Sequence, residues 1–520
     1  MSHLSKVFTS VPIKLPDRSG FDMSHENLFT AKVGTLIPAS VEEVLPGDIV
    51  SVGGSFSVEL PPLATNFKGR IDAKLEAFFV PNRILWAGWK DFITQDASHA
   101  PSIPNFSVAS TVPTARIPAS NVAGTLADYL GVKSLNVSNV TAEVNVLPFA
   151  AYQKVWEDWY RDTNTQNPFF ANGAGTGGGM QFCASQLPYL RGTGVVSGNT
   201  NVGNASSPKG INGKYIWDLN QRCFAKDYFT TMTTAPQAGA ASELEFDVYN
   251  VSGTSGTTKF SIASLRAANS LQRWLERNNL AGTRYYDQIL AHFGVLPPDA
   301  NVDRAVLLGS MTEPVIVNSI AQTNANSTTG NTNPYGKNTG AMAGRALAFG
   351  KDRLINKFEV KEHGFIIILF SLVPHAYYGT GSRRYLSRQY SSDYAWTEFA
   401  NIGDQEVYKA ELYSPDIING FKANIVGYNQ RYSEYKYHED EIHGKLAKGE
   451  DLASFAMQRG FTNTVAVNTA LLEIPDTYLD DYMVADTSVS GFNAIVDAYF
   501  DAKYVRCLPE YSLPSLCHGE

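Results

Sequence analysis

The alternation of apolar and polar positions is clearest between residues 69 and 93. From Ile71 to Phe79 every odd position is apolar (Ile71, Ala73, Leu75, Ala77, Phe79), while Asp72, Lys74 and Glu76 lie between them. Successive side chains of a strand point to opposite faces, so this period of two predicts a half-buried strand. Pro81 has no N–H to donate and biases Val80 towards extended geometry, which ends the ladder there. Trp86, Trp89, Phe92 and Ile93 follow at roughly helical spacing. The strand is therefore expected to run into an aromatic cap.

Further elements follow by the same reasoning. Ile366-Ile367-Ile368-Leu369-Phe370 is an uninterrupted apolar run, which fits a strand buried on both faces. Val496–Tyr504 alternates again, Leu244, Phe246 and Val248 suggest a short strand, and Val315–Ile320 is strand-like. Leu147–Asp162 reads as a helix with Pro148 near its start, and its stripe of Phe149, Tyr152, Val155, Trp156, Trp159 and Tyr160 is expected in the core. Two more helices are expected: Ser261–Asn278, with Leu271 and Trp274 on its apolar face, and Thr283–Phe293, with Thr283 as cap and Gly294 as terminator. Leu45-Pro46-Gly47-Asp48 has the residues of a type II turn. Residues 96–146, 172–214 and 321–344 are rich in small polar residues and read as loops.

Composition narrows the class. The 520 residues are 18 % charged and 12 % aromatic, a balance of strands, turns and ordered loops. A net charge of −8 argues against a surface that binds nucleic acid throughout, so any such contact must be local. Cys183, Cys223, Cys507 and Cys517 form no C-x-x-C pair, which suggests reduced cysteines and cytoplasmic folding. The N-terminus lacks the apolar stretch of a signal peptide, and Gly364–Pro374 is about half of the ~20 residues a spanning helix needs. No membrane insertion is expected.

No catalytic constellation emerges. Gly173–Gly179 lacks the flanking strand and helix of a phosphate cradle. Gly344–Asp352 (GRALAFGKD) has five residues between its glycines where a P-loop has four, and Asp352 where Ser or Thr would bind Mg²⁺. His438 and His443 are five apart, about 140° around a helix, which is wrong for a zinc helix. Glu439, Asp440 and Glu441 leave room only for a weak Ca²⁺ contact beside the simpler reading of a solvated acidic turn. His363 has no identifiable nucleophile or carboxylate partner. Neither a cofactor nor a metal is expected.

Two basic-aromatic stretches carry more chemistry, Ser382–Arg388 (SRRYLSR) and Gly427–His438 (GYNQRYSEYKYH). Arg383, Arg384, Arg388, Arg431 and Lys436 could neutralise phosphates while Tyr428, Tyr432 and Tyr435, with Tyr385 and Tyr437, stack on bases. Ordinary subunit contact is the competing reading, because Tyr and Arg are also enriched at protein interfaces. At the level of the whole chain, a receptor-binding or carbohydrate-binding β-sandwich and a secreted β-sandwich hydrolase stand as rivals to a structural protein.

Several segments, taken in order, resemble the major capsid proteins of the Microviridae, small single-stranded DNA bacteriophages, and their gokushovirus-like branch most of all. They are Arg18–Asp22, Leu36-Ile37-Pro38, Leu45–Asp48, Phe78–Trp89, Leu147–Asn164, Leu265-Arg266, Leu275–Arg277, Gly282–Tyr285, His292–Val295, Glu362–Gly364, Trp396–Gly403, Gly427-Tyr428 and Arg431–Tyr435. The resemblance implies a mainly β protein, a single eight-stranded antiparallel viral jelly roll with long loop- and helix-containing insertions. Residues 1–30, polar and carrying Pro12 and Pro16 with few periodic positions, read by themselves as an extended arm, and 31–520 would form one domain, with insertions at about 96–357 and 375–495. It also implies a homo-oligomeric T=1 icosahedral shell around circular single-stranded DNA, with scaffolding, DNA-pilot and small basic DNA-binding proteins and a host cell-surface receptor as partners. The location would be the virion, assembled in the bacterial cytoplasm. One departure concerns the long insertion that this group carries after the segment similar to Asp227–Gly239. Here only about twenty residues separate Gly239 from Ser261, so a tall protrusion is not expected there.

Overall fold

The computed structural model describes residues 18–61, 63, 65–86, 89–94, 112, 114–118, 123–132, 141–169, 214, 216–236, 262–282, 284–321, 342–483 and 492–510. The loop expected at 172–214 lies almost wholly outside these residues, as do most of 321–344, the strand expected around Leu244–Val248 and Thr283. The strands are β1 (Ser19–Asp22), β2 (His25–Ala31), β3 (Ile37–Val44), β4 (Ile49–Glu59), β5 (Ile71–Pro81), β6 (Thr114–Pro118) and β7 (Thr141–Asn145). They continue with β8 (Val306–Pro314), β9 (Ile316–Ala321), β10 (Met342–Glu359), β11 (Gly364–Pro374), β12 (Gln405–Tyr408), β13 (Ile425–Asn429) and β14 (Ala494–Arg506).

Two antiparallel sheets make a β-sandwich. One runs β14-β4-β10-β9, with β1 and β2 end to end along the free edge of β14; the other runs β3-β11-β5-β8. The orders β2-β14-β4-β10 and β3-β11-β5-β8 are those of a jelly roll, in which the chain repeatedly crosses from one sheet to the other. Ten described strands stand where eight were expected, because β1 and β9 extend the edges of the larger sheet. The described part of the expected arm is thus two strands on the chain's own last strand. Likewise β8, β9 and all but the last two residues of β10 fall within the insertion expected at about 96–357. Residues 96–146 also hold more structure than a loop: β6 pairs with β7, and Leu126–Tyr129 is a short helix.

The core follows from strand periodicity. Ile71, Ala73, Leu75, Ala77 and Phe79 of β5 face the interior with Ile366, Ile368, Phe370 and Leu372 of β11 and Val496, Ala498, Phe500, Ala502 and Tyr504 of β14. Strand β11 is buried along its entire length, as its unbroken apolar run requires. Its other face (Phe365, Ile367, Leu369), with Phe78 and Val80 of β5, meets a second core behind the sheet. The helix Leu147–Val155 supplies that core with Phe149, Tyr152 and Val155, and the π-helical turn Trp156–Tyr160 that continues it adds Trp156. The polar side of β5 meets the insertion at Glu76, which accepts from Tyr160 Oη at 2.6 Å and pairs with Arg222. At the predicted type II turn, Gly47 has φ +91°, the left-handed geometry that the third turn position requires.

Cys223 lies beside this inner layer, with its Sγ 3.7 Å from Gln166 Oε1. Burial, and next the Asp162 carboxylate, push its thiol up to about 12. The thiolate is the reactive form, so Cys223 is expected to resist alkylation at pH 8 in the folded protein and to react on unfolding in urea. Peptide mapping after alkylation checks this; rapid native labelling at Cys223 would contradict it.

Candidate nucleic-acid interface

The two basic-aromatic stretches come together in the segment between β11 and β14. The β12–β13 ladder, a series of short 3-10 turns and a small core of Tyr228, Phe229, Met232, Tyr378, Val407, Leu412, Val467 and Leu471 hold this segment in place. Ser382–Arg388 lies against Arg431–Glu441, and a cleft of about 430 Å³ opens among Arg383, Arg384, Arg388, Glu411, Glu434 and Glu439. Its surroundings are mixed in sign.

Three of the five candidate cations are committed inside the fold. Arg384 is mostly buried; it lies 2.9 Å from Glu411 and 3.5 Å from Glu434, and its Nη1 donates to the Glu406 carbonyl at 2.6 Å. Burial is the largest influence on the Arg384 pKa and would lower it, but Glu411, Tyr228, Glu434 and Tyr408 together outweigh it and the net shift is upward. Glu411 is itself buried and accepts from Tyr228 Oη and from the Tyr408 N–H, both at 2.9 Å. Its pKa is raised, by burial first, against the opposing pull of Arg384. Arg388 pairs with Glu434 at 3.2 Å and sits over the rings of Tyr435 and Tyr394, at 4.6 and 5.7 Å. Arg383 pairs with Glu439 and Glu441 and hydrogen-bonds to His438. The acidic turn that left room for a weak Ca²⁺ contact thus spends two of its three carboxylates on Arg383. Among the described residues, no group of His, Cys, Asp and Glu side chains could hold a metal ion.

Arg431 and Lys436 differ. Among the described residues neither has a carboxylate within ion-pair distance. Arg431 rests over Tyr432 at 5.2 Å, and Lys436 is exposed, its Nζ donating to the Arg431 carbonyl at 3.2 Å. Tyr428 is half-buried in β13, and Tyr432 turns the chain with φ +61°, its N–H donating to Gln405 Oε1 at 3.0 Å. Tyr435 is exposed.

Sequence reading missed a third aromatic run. Tyr390, Tyr394, Trp396 and Phe399 are all exposed and lie beside the Tyr432–Tyr437 segment, with the Trp396 N–H donating to Tyr432 Oη at 3.2 Å. The signal was available: four aromatics in ten residues immediately after SRRYLSR. The surface as a whole offers flat rings with two cations that have no carboxylate partner among the described residues. Bases can stack on such rings and phosphates can pair with such cations.

Comparison with known proteins places the chain among phage capsid proteins. The sequence matches the family described as Capsid protein (F protein) over residues 9–253 and 248–516. Capsid protein VP1 of Chlamydia phage 1 is 29 % identical, in an alignment covering 98 % of this chain and 97 % of the relative. That alignment spans 597 positions, more than the chain's own 520, so the relative carries segments absent here. Capsid protein VP1 of Bdellovibrio phage phiMH2K is 25 % identical over 99 % of this chain and 98 % of its own, and that of Spiroplasma virus 4 is 24 % identical over 96 % and 95 %. With a jelly-roll sandwich as its framework and the family match running nearly end to end, the chain belongs to the capsid protein (F protein) family.

Proposed function

We propose that the chain is the main subunit of a T=1 icosahedral shell around circular single-stranded DNA, with a structural rather than a catalytic role. The observation that carries this reading is the near full-length similarity to three phage VP1 capsid proteins on a jelly-roll framework. Assembly in the bacterial cytoplasm, and contacts with scaffolding, DNA-pilot and small basic proteins and with a host receptor, complete the proposal. No helix of the described residues is long and apolar enough to cross a membrane. Electron microscopy of the protein expressed with its companion phage proteins should reveal small isometric particles. A chain that stays a 56.8 kDa monomer under all those conditions would overturn the proposal.

Within the shell we assign genome contact to Arg431, Lys436, Tyr428, Tyr432 and Tyr435. Arg383, Arg384 and Arg388 contribute by holding that surface in shape, because their charges are already spent on carboxylates. Arg431→Ala combined with Lys436→Ala is expected to lower the DNA-to-protein ratio of purified particles while leaving shells intact. Adding Tyr435→Ala removes a stacking platform worth ~1–3 kcal/mol per base and should lower it further. Unchanged genome content and particle stability would move the tyrosines and these two cations to the subunit-contact reading.

A further inference from the structure

Besides the Tyr390–Phe399 run, a helical hairpin exposes a second group of large apolar side chains. Helices Ile262–Ala281 and Tyr285–Phe293 pack on each other: Trp274 stacks on His292 with centroids 6.1 Å apart, and His292 Nε2 lies 2.7 Å from Asn278 Oδ1. Gly294 ends the second helix with φ +67°. No residue of that second helix is buried. Trp274 is 51 % exposed, Tyr285 70 % and Phe293 78 %, with Leu271, Leu290 and Leu296 also in water. Leu271 and Trp274 are one helical turn apart, as are Leu290 and Phe293, and the Trp274–His292 stack joins the two rows.

The hairpin is nevertheless firmly anchored. Arg284 donates to the carbonyls of Glu157 and Arg161 at the end of the π-helical turn, and Arg304 is sandwiched between the rings of Trp159 and Tyr286 at 3.7 and 4.4 Å. A rigid mount under an uncovered apolar face is the arrangement of a preorganised docking element.

We propose that this face is covered by a second copy of the chain and is one of the contacts that build the shell. The inference rests on the shell-subunit reading above. Three observations choose the occupant. The three aromatics alone expose on the order of 400 Å², already half of the ~800 Å² that one partner buries in a standard interface. Residues 262–293 carry Arg266, Arg273, Arg277 and Arg284 against Glu276 and Asp287, a cationic segment on a chain whose net charge is −8. The remainder of another copy is therefore complementary to it in sign. Leu271, Leu290 and Leu296 have no flat face for a base to stack on, so a protein surface suits them better than DNA.

The test introduces Trp274→Asp with Phe293→Asp into the full chain, expressed with its companion phage proteins beside the unaltered chain. Particle yield should fall more than about tenfold, since buried aromatic anchors of this kind dominate interface energy. The monomer's urea midpoint should fall only a little, because Phe293 is already mostly in water and Trp274 gives up no more than its stack on His292 and the half of its surface that is covered. If the double variant does not fold, Leu271→Ser with Leu296→Ser, a milder change on the same face, is read in the same way. Unaltered protein that forms no particles defeats the shell reading itself. Normal yield from a folded variant defeats this inference alone, and normal yield with reduced DNA or a missing companion protein gives the face to that other occupant.

Discussion

Arg384→Ala is expected to destabilise the folded subunit by roughly 3–5 kcal/mol, the usual penalty when one member of a buried ion pair is left without the other. Arg384 and Glu411 are both well buried, and Glu411 would keep only its hydrogen bonds from Tyr228 and the Tyr408 N–H. The direction of the pH response follows. The Glu411 carboxyl is already raised above its ordinary range in the folded protein, and the loss of Arg384 raises it further. A carboxyl whose folded pKa lies above its unfolded value binds more protons folded than unfolded between the two values, so stability falls as pH rises through that window. The variant should therefore regain part of its deficit as pH is lowered from 8 towards 5. Urea midpoints of both proteins across that range check the claim; a variant deficit that is small, or constant with pH, would show that Glu411 does not depend on this arginine.

This expectation separates two roles that the sequence alone could not. In SRRYLSR the arginines look like free cations, because their carboxylate partners lie 27, 46 and 56 residues away: Glu411 for Arg384, Glu434 for Arg388 and Glu439 for Arg383. Local composition contains no trace of such pairs; they exist only once the β12–β13 ladder and the 3-10 turns bring the two stretches together. Arg431 and Lys436 remain the better candidates for phosphate because the fold gives them no such partner among the described residues. Tyr394 and Trp396 were legible as composition but not as a site, since nothing in their spacing ties them to Tyr432.

The framework was far more legible, and the reason is periodic burial. β5, β11 and β14 each carry a pattern that the sandwich interior dictates, alternating where one face is apolar and continuous where both are. Strand β10 escaped the reading because its outward positions are partly apolar. Ala346 and Ala348 point inward, but Leu347 and Phe349 are exposed, so the alternation of size runs against the alternation of burial. A glycine at each end of GRALAFG then made the segment look like a failed phosphate loop instead of a strand. The exposed ends of that alternation lie on the open face of the larger sheet, opposite Glu59 and Ser57 of β4.

Phe370→Ala and Phe349→Ala make that distinction measurable, and the first has the larger expected effect. Phe370 is fully buried at the centre of the sandwich, with ring centroids 5.6 Å from Phe29 of β2 and 5.9 Å from Phe56 of β4, both edge to face. It links β11 of one sheet to two strands of the other. Removing the ring loses its burial and leaves a cavity that strands held on both sides cannot close, so a loss of about 3–5 kcal/mol is expected. Phe349, in the same class of element and of the same residue type, faces outward, and its removal should change the subunit's stability by no more than about 0.5 kcal/mol. Urea unfolding of the two variants compares them directly. Similar losses for both would mean that the larger sheet's outer face is not open in the isolated subunit, whereas the expected gap follows from the jelly-roll register alone.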